Sequence, residues 1–335
     1  MKKIGFIGVG KMGLSHLAIA NSLPNLEVRA MADTSTMLLK TLNKGLRVAT
    51  YTDYKEMVEL EELDAVVISL PNSLHFEAVK ACLLKGLNVF IEKPFTLDYK
   101  QSLELQSLAE EKNLYIQVGY VNRFCDTFSY VREIINSQSL GQVTNYSSIM
   151  TGPVITENHE SGWRNDYSKG GGCLNDYGPH CIDLICFLFG TEFEVTQASL
   201  QSKFSTKVDD IVDAKFTHPD FSGEIYINWS DNTVRKASNK VRIDFERGSI
   251  EVSKQEMSIT SALDIPQFNI KKGDNLKYIT DFSTDVSFYL RGEEFSRQLE
   301  EFSHSLNSKT SSICDLASAC KVDKTIADIF SKSGK

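Results

Sequence analysis

The chain has 335 residues, 41% of them hydrophobic and 24% charged, the make-up of a globular protein too long for one ordinary core. Its 36 Lys and Arg against 44 Asp and Glu leave a formal net charge of −8, which argues against a nucleic-acid backbone as partner. Lys2 and Lys3 precede an apolar run that breaks at once into glycines, and no run reaches the roughly 18 residues of a membrane span. The expectation is a cytoplasmic protein with neither membrane nor nucleic-acid partner. The seven cysteines read as small core residues in a reducing compartment. Cys173, Cys181 and Cys186 surround His180, but no C-x-x-C pair or ligand spacing accompanies them, so no metal is expected.

Over the first 120 residues, short apolar runs alternate with amphipathic stretches. Strands are predicted at 3–8, 27–32, 65–70, 88–91 and 114–118, and helices at 11–22, 36–43, 72–85 and 99–112. Strands without polar alternation, separated by helices, imply a parallel, doubly wound sheet covered on both faces. After Arg123 the pattern changes. A helix at 128–136, an alternating strand at 143–150, a polar loop at 151–172 and a helix at 174–189 lead into strands at 195–204, 211–217, 223–229, 240–245 and 249–252. Short connections there suggest a largely antiparallel sheet, with a hairpin turn at Arg247-Gly248. Helices at 288–306 and 313–330 follow. The fold class is therefore α/β: a Rossmann domain over 1–120 and an α+β domain with an open-faced mixed sheet over 121–335. The C-terminal helices are expected to pack back on the first domain.

Two stretches carry chemistry. Gly8-Val9-Gly10-Lys11-Met12-Gly13 follows a predicted strand and opens a predicted helix. Gly8 permits the turn, Gly10 lets backbone approach a pyrophosphate, and Gly13 lets helix and strand pack closely. The helix start then offers N–H groups and a positive dipole end to an anion. Asp33 ends the second strand, where a carboxylate accepts from both ribose hydroxyls and repels a 2′-phosphate, favouring NAD over NADP. Glu92-Lys93-Pro94 stands at the carboxyl end of another strand, where Lys93 can polarise or protonate a substrate oxygen; the plainer reading is a solvated lysine. In Gly170-Gly171-Gly172-Cys173-Leu174-Asn175-Asp176-Tyr177-Gly178-Pro179-His180, a helix from about 174 puts Asp176 and His180 on one face. Histidine suits acid/base work near neutral pH. Pro179 disfavours an uninterrupted helix, which would then begin nearer Gly178.

These residues resemble the Gfo/Idh/MocA oxidoreductases. Met12, His16, Pro71-Asn72-x-x-His75 and Gly119-Tyr120-x-x-Arg123-Phe124 extend the match, together with Asp183 after His180. The resemblance implies hydride transfer between nicotinamide and a sugar, sugar derivative or cyclitol, in a homodimer or homotetramer. It implies Lys93, Asp176 and His180 as the catalytic set, with His180 the acid/base. Gly8, Gly10, Lys11, Met12, Gly13, Asp33, Pro71, Asn72, His75, Glu92, Lys93 and Asn122 would hold the cofactor. Arg123, Trp163, Arg164 and Asn175 would join the catalytic set in contacting substrate. Pro179 and Asn175 depart from the family's usual aliphatic and small residues. Two other activities stay open at this point: a glycosidase-like elimination through tightly bound NAD, and a non-catalytic regulator that binds NAD or a sugar.

Overall fold

The computed structural model describes residues 1–157, 162–282, 286–308 and 313–334. The early apolar runs form β1 (Lys2–Ile7), β2 (Leu26–Ala32), β3 (Ala49–Tyr51), β4 (Ala65–Ile68), β5 (Asn88–Ile91) and β6 (Ile116–Val118). Between them lie α1 (Lys11–Ala20), α2 (Thr36–Leu46), α3 (Tyr54–Leu60), α4 (His75–Leu84) and α5 (Tyr99–Lys112). All six strands are parallel, in the order β3-β2-β1-β4-β5-β6. β4 is buried along its whole length, as a strand covered on both faces must be. The winding reverses between β1 and β4, and the crevice beyond their carboxyl ends is where such sheets take ligands. β3 and α3 were not expected from sequence; a three-residue strand is too short to show a period.

The chain continues through α6 (Asp126–Ser137), β7 (Val143–Thr151), α7 (Cys173–Asp176) and α8 (Gly178–Phe189). Then come β8 (Glu194–Gln201), β9 (Ile211–Thr217), β10 (Ser222–Asn228), β11 (Ser238–Phe245), β12 (Gly248–Ser253), β13 (Glu256–Ser261) and β14 (Gly273–Tyr278). These strands form one sheet in the order β14-β13-β12-β11-β7-β10-β9-β8. β7 and β10 pair in parallel and the other neighbours antiparallel. Along β11, Val241, Ile243 and Phe245 are buried while Lys240 and Arg242 are exposed, so one face is covered and the other open. The hairpin loop is Glu246-Arg247, one residue earlier than expected, with Phe245 paired to Gly248.

α9 (Glu293–Ser308) and α10 (Leu316–Lys332) complete the helices. α9 starts five residues later than the apolar pattern suggests, because Arg291 and Gly292 take left-handed conformations (φ +64° and +123°) that no α-helix contains. The chain divides into two units, Met1–Phe124 with Asp285–Cys320, and Cys125–Thr284 with Lys321–Lys335. The second domain expected over 121–335 is thus not continuous. Leu299, Phe302 and Leu306 of α9 share the apolar core of the parallel sheet with Ile4, Phe6, Val67 and Phe90.

Candidate active site

In the first unit, the turn after β1 is built by packing. Gly8 has φ +84°, and a Cβ there would stand 2.6 Å from the Ser69 carbonyl oxygen. A Cβ on Gly13 would stand 2.1 Å from the Gly8 carbonyl oxygen, so the start of α1 rests directly on the turn. Gly10 differs: a Cβ there would meet nothing within 4 Å. No side chain caps α1 at Gly10, and no acid lies in its first turn. The helix end therefore offers its backbone donors and positive dipole beside open space. Asp33 Oδ2 accepts from the Val9 amide at 2.9 Å and Oδ1 from the Ser35 amide at 2.9 Å, tying the carboxylate at the end of β2 to the turn. Lys11 is exposed and Met12 half-buried on the same turn. An open cradle, an uncapped helix and a fixed acid together fit a dinucleotide.

At the end of β5, Glu92 Oε1 lies 2.6 Å from His16 Nε2 of α1, whose ring is fully buried. Burial alone would raise the Glu92 carboxyl. The His16 hydrogen bond and the charges of His16, Lys93 and His75 outweigh it and hold the group below its ordinary value. Lys93 follows, half-buried, and its peptide to Pro94 is cis. Pro71 is exposed and Asn72 half-buried, in the short turn that leads into α4. His75, expected to line the cofactor, is instead fully buried, with Nδ1 2.7 Å from the Pro94 carbonyl and Nε2 3.0 Å from that of Leu70. Burial pushes its ring below the ordinary value, against the pull of those carbonyls. It clamps the segment after β5 to the end of β4 and has no surface with which to touch a ligand. Asn122 is buried as well. Arg123, expected near substrate, is 3% exposed, with its guanidinium bonded to the Ile313 carbonyl and placed over the Tyr120 ring. That bond ties the segment at Ile313 to the turn after β6.

In the second unit the expected single helix at 174–189 is broken at Tyr177, which ends α7 and caps α8. Pro179 then sits in the first turn of α8, where its missing N–H costs nothing. Asp176 ends α7, nearly buried, and accepts from Arg164 Nε at 3.1 Å. The Arg164 guanidinium lies 4.5 Å over the Trp163 ring, so both residues expected at the substrate gather at Asp176, and the carboxylate that Arg164 meets belongs to the chain. His180 is half-buried in the first turn of α8. Asn175 Nδ2 donates to the Gly171 carbonyl at 2.8 Å, which ties the side chain to the glycine stretch.

Two residues that sequence reasoning passed over shape this region. Asp209, fully buried, accepts from the Leu174 amide at 2.7 Å and from the Tyr167 hydroxyl at 2.8 Å, holding the start of α7. Asp210 accepts from the amides of Lys203, Phe204 and Ser205 and from Trp229 Nε1. Those bonds keep its carboxyl below the ordinary value although burial would raise it. Their only sequence signal was a pair of acids directly before a strand. Among the described residues, no group of three or more His, Cys, Asp or Glu is placed to hold a metal, and no helix is long and apolar enough to cross a membrane.

Residues 2–120 match the model of an oxidoreductase family with an NAD-binding Rossmann fold, and residues 128–251 match the C-terminal domain of the same GFO/IDH/MocA group. An uncharacterized oxidoreductase of Schizosaccharomyces pombe is 32% identical over 205 residues, 60% of this chain and 55% of the relative. Glucose-6-phosphate 3-dehydrogenase of Bacillus subtilis is 25% identical over 228 residues, 68% of this chain and 64% of the relative. The chain thus spans little more than half of the first relative and less than two thirds of the second. A levoglucosan dehydrogenase solved with NADH and levoglucosan shares the fold, with a TM-score of 0.86 at 19% identity, over 99% of this chain and 97% of that one.

Proposed function

The chain belongs to the Gfo/Idh/MocA oxidoreductases, and on that premise we propose that it is an NAD-dependent dehydrogenase of a sugar, sugar derivative or cyclitol. The observation that carries this reading is the contrast within the glycine turn. Gly8 and Gly13 are packed against backbone, while Gly10 leaves open space beside an uncapped helix start and the Asp33 carboxylate. NAD is preferred to NADP because Asp33 would repel a 2′-phosphate. When bound, NAD supplies the acceptor or donor of the hydride. Lys93 polarises the reacting oxygen, and His180 takes or returns the hydroxyl proton. Asp176 orients the reacting group, its charge steadied by Arg164 at 3.1 Å. The sugar class is supported by the activities for which glucose-6-phosphate 3-dehydrogenase and levoglucosan dehydrogenase are named, proteins this chain resembles. The open face of the eight-stranded sheet supports a homodimer or homotetramer, which light scattering would measure.

The test is to titrate the purified chain with NADH and NADPH, then follow NAD⁺ reduction across sugars, sugar phosphates, sugar acids and cyclitols. Tighter NADH binding and turnover of one class support the proposal. Failure to bind either dinucleotide would refute it, and NAD⁺ that co-purifies without net oxidation of any alcohol would shift the reading to transient oxidation and elimination.

A further inference from the structure

Resting on the dehydrogenase reading, we propose that His16 is a positioning residue that couples the dinucleotide-binding turn to Lys93 through Glu92. Its ring lies on the second turn of α1, the helix that starts on the glycine turn. It is fully buried, edge-on to Phe90 of β5 at 5.1 Å and tilted beside Phe295 at 6.5 Å. Rings wedged in this way cannot swing without opening the core. Among the described residues the ring has one polar tie, Nε2 to Glu92 Oε1 at 2.6 Å, while Nδ1 is buried with no hydrogen-bond partner. A histidine kept only to fill space would leave two nitrogens to desolvate for no return, and an apolar ring would serve better. The short bond to a carboxylate is what distinguishes this position.

Glu92 is in turn enclosed. The charged and titratable groups that face it are His16 from α1, Lys93 next in the chain and His75 from α4. At the end of β6, a Cβ on Gly119 would come within 3.4 Å of its carboxylate, so that side is closed too. These neighbours hold the carboxyl below its ordinary value, and His16 is the one that donates a hydrogen bond to it. His16 therefore fixes Glu92 relative to α1, and Glu92 fixes the backbone from which Lys93 projects. The distance between the pyrophosphate end of a bound dinucleotide and the Lys93 amine is set by this buried link.

The experiment compares His16→Phe, which keeps a ring and loses the donor, with His16→Gln, which keeps a donor. Two readouts need no turnover: the Kd for NADH, and the protection of Lys93 by NAD⁺ against acetic anhydride, measured by mass spectrometry. Both variants should bind NADH within about threefold of the parent, because the glycine turn and Asp33 are untouched. Protection of Lys93 should fall about tenfold in His16→Phe and largely return in His16→Gln, the scale of one hydrogen bond to a charged group. Where a substrate is known, kcat should follow protection while KM stays near the parent value. Parent-like protection in His16→Phe overturns the proposal, and so does equal loss in both variants, which would mark a packing role. Should His16→Phe fail to fold, Glu92→Gln takes its place and must also lose protection. If the parent binds NADH and shields Lys93 but oxidises no sugar, only the substrate reading fails. If it binds no dinucleotide, both readings fall together.

Discussion

Alanine at Gly13 and alanine at Gly10 should damage the protein in opposite ways. At Gly13 the new Cβ would stand 2.1 Å from the Gly8 carbonyl oxygen, far inside any tolerated contact. Both partners are backbone of the same turn, so relief requires α1 to lift away from β1. Overpacking of this kind costs about 1–3 kcal/mol, or roughly 1–5 °C in Tm for a chain of this size. At Gly10 the backbone has φ −67°, which alanine accepts, and its Cβ would enter open space. A weaker N-cap costs up to about 1 kcal/mol, and a stiffer unfolded chain returns a similar amount, so Tm should hardly move. The methyl group would nevertheless occupy the space through which a pyrophosphate approaches the helix end. NADH affinity should fall about 10- to 100-fold, and roughly half or more of the stabilisation by saturating NADH, about 2.7 kcal/mol at 100 times the parent Kd, should vanish. Thermal denaturation with and without NADH, beside a fluorescence titration, separates the two effects. The reasoning is refuted if Gly13→Ala melts like the parent, or if Gly10→Ala binds NADH as tightly.

Lys93→Ala should bind NADH but lose about 1,000-fold or more in kcat, the scale of a group acting on the reacting oxygen, and rapid turnover would remove Lys93 from the mechanism. Asp33→Ala should narrow the preference for NADH over NADPH about tenfold, and an unchanged ratio would show that another residue selects. His218 is buried, stacked on Phe221 at 4.2 Å and 3.2 Å from the Tyr146 hydroxyl; burial, helped by the Lys321 charge, lowers its pKa to about 4. Above pH 6.5 the ring is neutral in both the folded and unfolded chain, so this contribution is complete; as pH falls towards 4 the unfolded chain takes up a proton that the fold refuses, and stability is lost. The loss is about 3 kcal/mol at most, and about 1–2 kcal/mol after screening. Melting His218→Phe beside the parent from pH 7 to 4.5 checks this, since the variant should show the shallower pH slope.

The parallel sheet was legible because burial on both faces leaves apolar runs such as Ala65–Ile68 with no polar interruption. The glycine turn was legible because its three glycines answer to three separate steric needs. β14 was not: Gly273–Tyr278 reads GDNLKY, an exposed edge strand whose residues carry no apolar face to mark a period. The break at Tyr177 was legible through Pro179, which pointed to a helix start nearer Gly178, where α8 begins. Nothing local could show that α9 joins the first unit, because its partners Ile4, Val67 and Phe90 lie more than two hundred residues earlier in the chain.

Three of the expected site residues share one property. Arg123, His75 and Asn175 were each expected to face a ligand, and each is buried with a side-chain nitrogen at a backbone carbonyl: Ile313 for Arg123, Leu70 and Pro94 for His75, Gly171 for Asn175. A buried guanidinium or imidazole is tolerated only where such acceptors compensate its desolvation. The Arg123 acceptor lies 190 positions away, so residue type and spacing do not reveal it, whereas Asn175 and His75 bond carbonyls four and five residues back. Lys93, Lys11, Pro71 and Asn72 retain exposed surface along the first unit's crevice, and Gly10 keeps open space there. On the proposed function, the motif residues of that unit separate into those that can touch a dinucleotide and those that hold the first group in place. His16 and Glu92 belong to the second kind, which is why the variants that test them must report where Lys93 stands as well as whether the dinucleotide binds.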